Sequence, residues 1–399
     1  MRTVYFITIL LLSAVACASV GAEQSSRKPA GDLPEIAELP DPFTFADGSP
    51  VRTKDDWERR RAELKALFED YMYGPLPPKP EKMNITRGER ATDETNHVTI
   101  QDLELKLEQA GETLTINVRI ALPSNTEGKV PVIIQGAFGR RPGQESGPPP
   151  GERFATYTSR GYAVAEFDFQ QVAADNKDQA TTGGVYQLFG DTIDCGALMA
   201  WAWGMHRVID ALETIPEIDA TKVIVTGHSR YGKAALVAGA FDERIALTVP
   251  SHSGCAGAAP YRFIYGNSEQ LHNIVGFAPH WFRPDFHQFV GNVERLPVDQ
   301  HLLKSLVAPR ALLDTEGTQD AWTNPEGAQL THVAAKKVYD FLHAGDAISI
   351  RYRPVGHIPS NEDLLEYADH VFFDKPLSED FGKLPYQEET KGFTWDVPK

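Results

Sequence analysis

Apolar and polar positions divide this chain into an apolar leader, an amphipathic opening and a long stretch in which short apolar runs alternate with helix-period segments. Basic Arg2, the apolar run from Val4 to Leu12 and small residues through Ala22 have the form of a secretory signal peptide over residues 1–22, too short to be kept as a membrane span. Val20 and Ala22 put small residues where a signal peptidase inspects the chain, so the cut is expected before Glu23. Lipid anchoring at Cys17 is the alternative, but Ala14 stands where a lipoprotein signal usually has leucine. Residues 23–50, rich in proline and polar side chains, read as a linker. A helix is predicted from Asp55 to Met72, acidic at its start and apolar at Leu64, Leu67 and Phe68, with Pro75, Pro77, Pro78 and Pro80 closing it. Val98–Ile100 and Leu114–Ile120 alternate as antiparallel edge strands do.

Beyond residue 130 the pattern changes. Val130–Gln135, Ala163–Phe167, Val223–Thr226, Ile245–Val249, Ala311–Asp314 and Ile348–Tyr352 are short apolar strand candidates. Helical patterns lie between them, most clearly Cys195–Leu212, Tyr231–Phe241 and Pro325–Leu342. Such alternation predicts an α/β fold: a doubly wound, mostly parallel sheet with helices on both faces and ligands outside the carboxyl ends of its strands. Residues 51–399 are expected to form one such domain. The stretch from Ser251 to about Leu302, with Trp281, Phe282, Phe286 and several histidines, reads either as a lid or substrate wall or as an ordinary helical excursion.

The most informative segment is Val223 to Leu236, a β-branched run, a glycine-flanked serine and then a helical pattern. Gly227 and Gly232 bracket a tight turn, which would lift Ser229 to the apex of a strained elbow with helix-start amides beside it. The bland alternative is a serine that only caps the helix. A serine hydroxyl needs a neighbouring base, and the base an acid, and in this fold class the order along the chain is serine, acid, histidine. Asp320, after the strand ending near Asp314, is the preferred acid, with Glu316 the alternative. His357, on a glycine- and proline-bounded loop past the last strand, is the base. Arg230 supplies an amide for an oxyanion, with a second donor expected from Gly136 to Gly139. Lys233, one helical turn after Ser229, can face the same cleft.

Composition removes other classes. A net charge of −16 disfavours nucleic acid and anionic membranes as partners. The remaining histidines show no paired ligand spacing, so neither a metal site nor a cofactor is expected. Cys195 and Cys255 are the cysteines left after export, and a disulfide between them is permitted.

The elbow Gly227-His228-Ser229-Arg230-Tyr231-Gly232-Lys233 resembles that of the glucuronoyl esterases, carbohydrate esterase family 15, in which serine-arginine is followed, one residue later, by glycine-lysine. Gly196–Gly204, Ser253–Ala259, Pro297–His301, Ala308–Arg310, Trp57–Arg61 and Tyr73–Pro75 are similar to bacterial members, so the resemblance spans nearly the whole mature chain. It implies a metal-free α/β-hydrolase that cleaves the ester between 4-O-methyl-glucuronic acid on glucuronoxylan and lignin alcohols; the leader separately predicts a secreted or periplasmic protein, and a monomer is expected. The resemblance implies that Ser229 is the nucleophile, His357 the base and Arg230 an oxyanion stabiliser, and that Lys233 and Trp322 contact the sugar. Two positions depart from the pattern. His252 stands where many members carry the acid, so the acid must come from elsewhere, and Asp320 fits other bacterial members. Asn267 stands where a sugar-binding glutamate is usual, with Glu269 two residues on as a substitute. The rival expectations are an esterase of the same fold acting on an acetyl or other polysaccharide ester, and a catalytically silent carbohydrate-binding homologue.

Overall fold

The computed structural model describes residues 27–137, 149–387 and 392–398, so the leader, with Cys17 and the cleavage site, lies outside the described residues. Nine strands form one sheet: β1 Lys82–Asp93, β2 Val98–Gln109, β3 Glu112–Pro123, β4 Val130–Gly136, β5 Ala163–Phe167, β6 Ile218–His228, β7 Ile245–Ser251, β8 Ala311–Gly317 and β9 Ile348–Arg353. Their order across the sheet is β1-β2-β3-β5-β4-β6-β7-β8-β9. The first three strands form an antiparallel meander joined antiparallel to β5, whereas β5 through β9 pair in parallel. The chain leaves β4 first to β5 on one side and later to β6 on the other, which makes the β4/β6 boundary a switch point.

The continuous apolar runs have a direct structural cause. Val132, Ile134, Val223, Val225 and Leu312 join one buried cluster, while Ile133, Ile224 and Leu313, the residues between or beside them, join another. Strand side chains alternate between faces, so a strand apolar at every position must be covered on both. Helices Lys54–Phe68, Ala197–Leu212 and Arg230–Phe241 contribute to the first cluster, and Pro150–Thr158 and Asn361–Phe373 to the second. The doubly wound architecture is therefore present. The opening helix starts on a capping box, in which Asp56 N–H donates to Thr53 Oγ1 at 3.1 Å and Thr53 N–H donates to Asp56 Oδ2 at 2.9 Å.

Three differences from the sequence reading have physical reasons. β1 alternates only at Met83 and Ile85, because it lies at the sheet edge with most of its residues exposed. Residues 27–50 are not a free linker: Leu39 and Phe43 are buried, Phe43 packs 5.3 Å from Phe341 and 6.2 Å from Trp395, and Trp395 Nε1–H donates to Leu39 O at 2.7 Å. The two ends of the described chain thus brace each other. Cys195 and Cys255 are both free thiols in the core, not a disulfide. Among the described residues no helix is long and apolar enough to cross a membrane.

Candidate active site

The elbow takes its shape from its glycines. Ser229 has φ 59° and ψ −123°, a strained left-handed conformation between the end of β6 and the helix Arg230–Phe241. A Cβ on Gly227 would lie 2.2 Å from Tyr231 O, and one on Gly232 would lie 2.8 Å from Gly227 O, so neither position accepts a side chain. Ser229 N–H donates to Ser251 O at 2.9 Å, fixing the elbow to β7. Arg230 opens the helix, where its N–H has no intrahelical acceptor and is available to an oxyanion beside Ser229.

The four neighbouring parallel strands β6 to β9 each deliver a residue at their carboxyl ends. After β6 comes Ser229, after β7 His252, after β8 Asp320 and after β9 His357. The β8 turn is laced to the β9 turn by Thr318 N–H to Arg353 O at 2.9 Å and Gln319 N–H to Val355 O at 3.1 Å. His357 Nδ1 then lies 2.6 Å from Asp320 Oδ2, and His252 Nδ1 lies 2.9 Å from the same oxygen. Burial pushes the Asp320 carboxyl up, but hydrogen bonds from His252 and His357 and the charge of His357 outweigh it and hold it well below the usual carboxylate range. Asp320 is therefore an anion, and both facing Nδ1 atoms carry protons. His228, whose ring centroid is 4.3 Å from that of His357, is pushed down to about 4 by burial, with His357 and His252 adding to the effect, and so stays neutral.

The alternative acid fails on geometry. Glu316 points into the core from β8, fully buried, with neither carboxylate oxygen hydrogen-bonded, and burial followed by the charge of Asp314 pushes its pKa well up. It is a core acid turned away from the histidines. His252, Asp320 and His357, scattered along the sequence, place ligand atoms within 4.8 Å of one another, a spacing compatible with a metal ion. Both Nδ1 atoms converge on one carboxylate oxygen, which is how two N–H donors share an acceptor.

Lys233 is more committed than its spacing suggests. Its ammonium is buried and donates to Ser253 O at 2.7 Å, to Cys255 O and to Glu269 Oε2 at 3.0 Å, which uses all three of its protons. Glu269 N–H in turn donates to Trp322 O at 2.9 Å, so Lys233, Glu269 and Trp322 form one connected wall. Trp322 leaves 47% of its surface exposed, an apolar face open to a ligand. Asn267 lies exposed beside this wall. Of the expected second oxyanion donors, Gly136 ends β4 against the Tyr231 ring, and Gly139 lies outside the described residues.

The Ser251–Leu302 stretch resolves as a packed helical excursion that also walls the site. Trp281 is buried in it, 5.3 Å from the Arg230 guanidinium and 5.9 Å from Lys233 Nζ. Asp175 accepts from Trp281 Nε1 at 2.8 Å, from His280 Nε2 at 3.0 Å and from Arg230. Burial opposes its ionisation, yet these donors hold it at about 2. Asp175 escaped the sequence reading because it sits 55 residues before Arg230, in a polar loop with no motif. Beside this clamp a cavity of ≈ 510 Å³ opens, lined by Asp175, Lys177, Asp178, Arg230, Phe277 and Trp281 among others.

A family model described as "Glucuronyl esterase, fungi" matches residues 105–343. The chain belongs to the glucuronoyl esterase family. A 4-O-methyl-glucuronoyl methylesterase of Cerrena unicolor is 37% identical over 324 residues, 78% of this chain, which spans 63% of that enzyme. The fold superposes on a family 15 glucuronoyl esterase from Caldicellulosiruptor kristjansonii with a TM-score of 0.78 and 36% identity, covering 92% of this chain and 99% of that one. A glucuronoyl esterase mutant from Sporotrichum thermophile, solved with methyl 4-O-methyl-β-D-glucopyranuronate, matches at a TM-score of 0.72 and 28% identity, covering 89% and 92%. Glucuronoyl esterase membership accounts for the α/β-hydrolase architecture.

Proposed function

We propose that this chain is an exported, monomeric serine esterase that hydrolyses the ester between 4-O-methyl-glucuronic acid on glucuronoxylan and an alcohol of lignin. The observation that carries the reading is the 2.6 Å contact of His357 Nδ1 with Asp320, on the same sheet edge as the strained Ser229. With Nδ1–H held by Asp320, His357 presents an unprotonated Nε2 as the base. It takes the Ser229 proton as Oγ attacks the uronate carbonyl. The Arg230 N–H stabilises the tetrahedral oxyanion, and its guanidinium adds positive charge nearby. His357 then protonates the departing alcohol, leaving a glucuronoyl ester on Ser229, and water activated by His357 hydrolyses it.

Substrate contacts follow from the connected wall. Trp322 offers a face for the sugar ring, and Glu269, held by Lys233 through Oε2, retains Oε1 as an acceptor for a sugar hydroxyl. Lys233 would then act chiefly by orienting Glu269. The polar cavity beyond Arg230 has room for part of the carbohydrate or its alcohol. The uronate ligand of the Sporotrichum thermophile relative supports the substrate class.

The test compares hydrolysis of benzyl glucuronate, methyl galacturonate and an acetylated sugar by the wild type, Ser229→Ala and His357→Ala. Benzyl glucuronate is expected to be preferred, and either substitution to lower kcat by about 10³-fold or more. A Ser229→Ala variant with full activity would sink the mechanism. Preference for the acetyl ester would replace the substrate and keep the chemistry.

A further inference from the structure

His252 plays no part in the scheme above, yet it makes the second hydrogen bond to the oxygen that holds the base. Its ring is buried, 2.9 Å from Asp320 Oδ2, on a backbone with φ 46° whose N–H donates to Thr315 O at 2.9 Å. The neighbouring turn is shaped around the ring: a Cβ on Gly317 would lie 2.8 Å from its Cε1. The groups around it come from each adjoining strand end, with His228 (ring centroids 5.5 Å apart) closing β6, Asp320 after β8 with Glu316 within that strand, and His357 (5.6 Å) after β9.

We propose that His252 is a positioning residue for the esterase chemistry, donating Nδ1–H to Asp320 Oδ2 so that one carboxylate oxygen is clamped between two imidazoles. Two consequences follow, both resting on the esterase reading. The clamp fixes the carboxylate orientation and therefore the ring of His357, which a carboxylate held from one side would leave freer to rotate. The donated hydrogen bond also draws charge from Oδ2, so the anion stabilises the His357 imidazolium less strongly than an unclamped one would.

The experiment is the pH profile of kcat/KM on benzyl glucuronate for the wild type, His252→Leu and His252→Asn. Asparagine can place an N–H near the position of the imidazole Nδ1, whereas leucine fills the space without a donor. The leucine variant is expected to lose roughly tenfold to a hundredfold in kcat, with little change in KM, and to shift its acidic limb to higher pH. The asparagine variant should recover most of the rate and return the limb towards its wild-type position. If leucine does not fold, His252→Phe, a ring of similar shape with no donor, takes its place in the comparison. A folded donorless variant with an unchanged acidic limb and kcat overturns the proposal. So does an asparagine variant that folds but behaves like leucine. Either result would leave the esterase assignment standing, since that fails only if Ser229 and His357 prove dispensable.

Discussion

Carboxyl groups four positions apart, one within β8 and one just past its end, have opposite fates here. Glu316 is carried by β8 into a core where nothing hydrogen-bonds it and burial raises its pKa, while Asp320 emerges past the strand end and meets two imidazoles. Asp320→Asn is expected to lower kcat by about 10³- to 10⁴-fold, because an amide that donates to Nδ1 fixes the wrong tautomer. Glu316→Gln should leave kcat/KM within a few-fold of wild type, since Glu316 hydrogen-bonds neither histidine and the amide has a similar volume. Equal losses in both, measured on benzyl glucuronate with folded samples, would contradict the assignment of the acid. Chain order called for an acid after β8, and Glu316 lying closer to the strand favoured Asp320. His252 was legible only as a departure from a pattern, because nothing in Ser251-His252-Ser253 announces that its ring will reach a residue 68 positions away. Lys233 illustrates the opposite case, in which spacing correctly placed the residue near the site but could not show that its three donors serve the protein. A buried ammonium is retained only when it is so paired.

The strand–elbow–helix unit was the easiest element to read, since it is local: an apolar run, two glycines and a helical pattern suffice to specify it. Its glycines are also where small changes should have large effects. Gly227→Ala would drive a Cβ into the Tyr231 carbonyl, a backbone atom that cannot turn aside, so the elbow itself must shift. We expect a loss of about 1–3 kcal/mol in stability and slower labelling of Ser229 by a fluorophosphonate. Gly276→Ala is the matched control, on the helix Leu271–Phe277 with nothing within 4 Å of the added Cβ, and should be neutral or stabilising by up to about 1 kcal/mol. If both variants melt and label alike, the glycines of the elbow are not setting its conformation. Elements whose identity depends on distant partners were harder to read. β1 is exposed along most of its length and is a strand because β2 pairs with it over its whole span, through a bulge between Arg87 and Arg90. Helix Asn361–Phe373 buries Leu364, Leu365 and Tyr367 against the second face of the sheet, a role visible only once the sheet exists.

Across the molecule, the alternation of strands and helices identified the doubly wound sheet, but the packing of the N-terminal segment against Trp395 was invisible, because proline-rich polar sequence gives no hint of a partner more than 300 residues away. The same core that hides those contacts buries several imidazoles, and this sets how the fold should respond to acid. Burial pushes His206 and His301 down to about 4 and His332 down to about 3, and His228 shifts the same way. Below their ordinary value near 6.5 the unfolded chain binds protons that the native chain refuses, so stability falls as pH drops from about 6.5 towards 4, by up to about 1.4 kcal/mol per pH unit for each buried ring. Burial raises Glu316, Asp314 and Glu69, which favours the native state as pH falls, but only Glu316 moves far, as Lys304 restrains Asp314 and the Leu76 N–H restrains Glu69. The imidazoles therefore prevail in this window. Below about 3.8 the depressed carboxyls of Asp320, Asp175 and Asp242 remove further stability in the same direction. Urea unfolding at pH 6.5, 5.5 and 4.5 should show a steadily falling midpoint, and His206→Asn should flatten that fall by removing one of the protons involved. A midpoint constant across that range would mean that these rings accept protons without unfolding the chain.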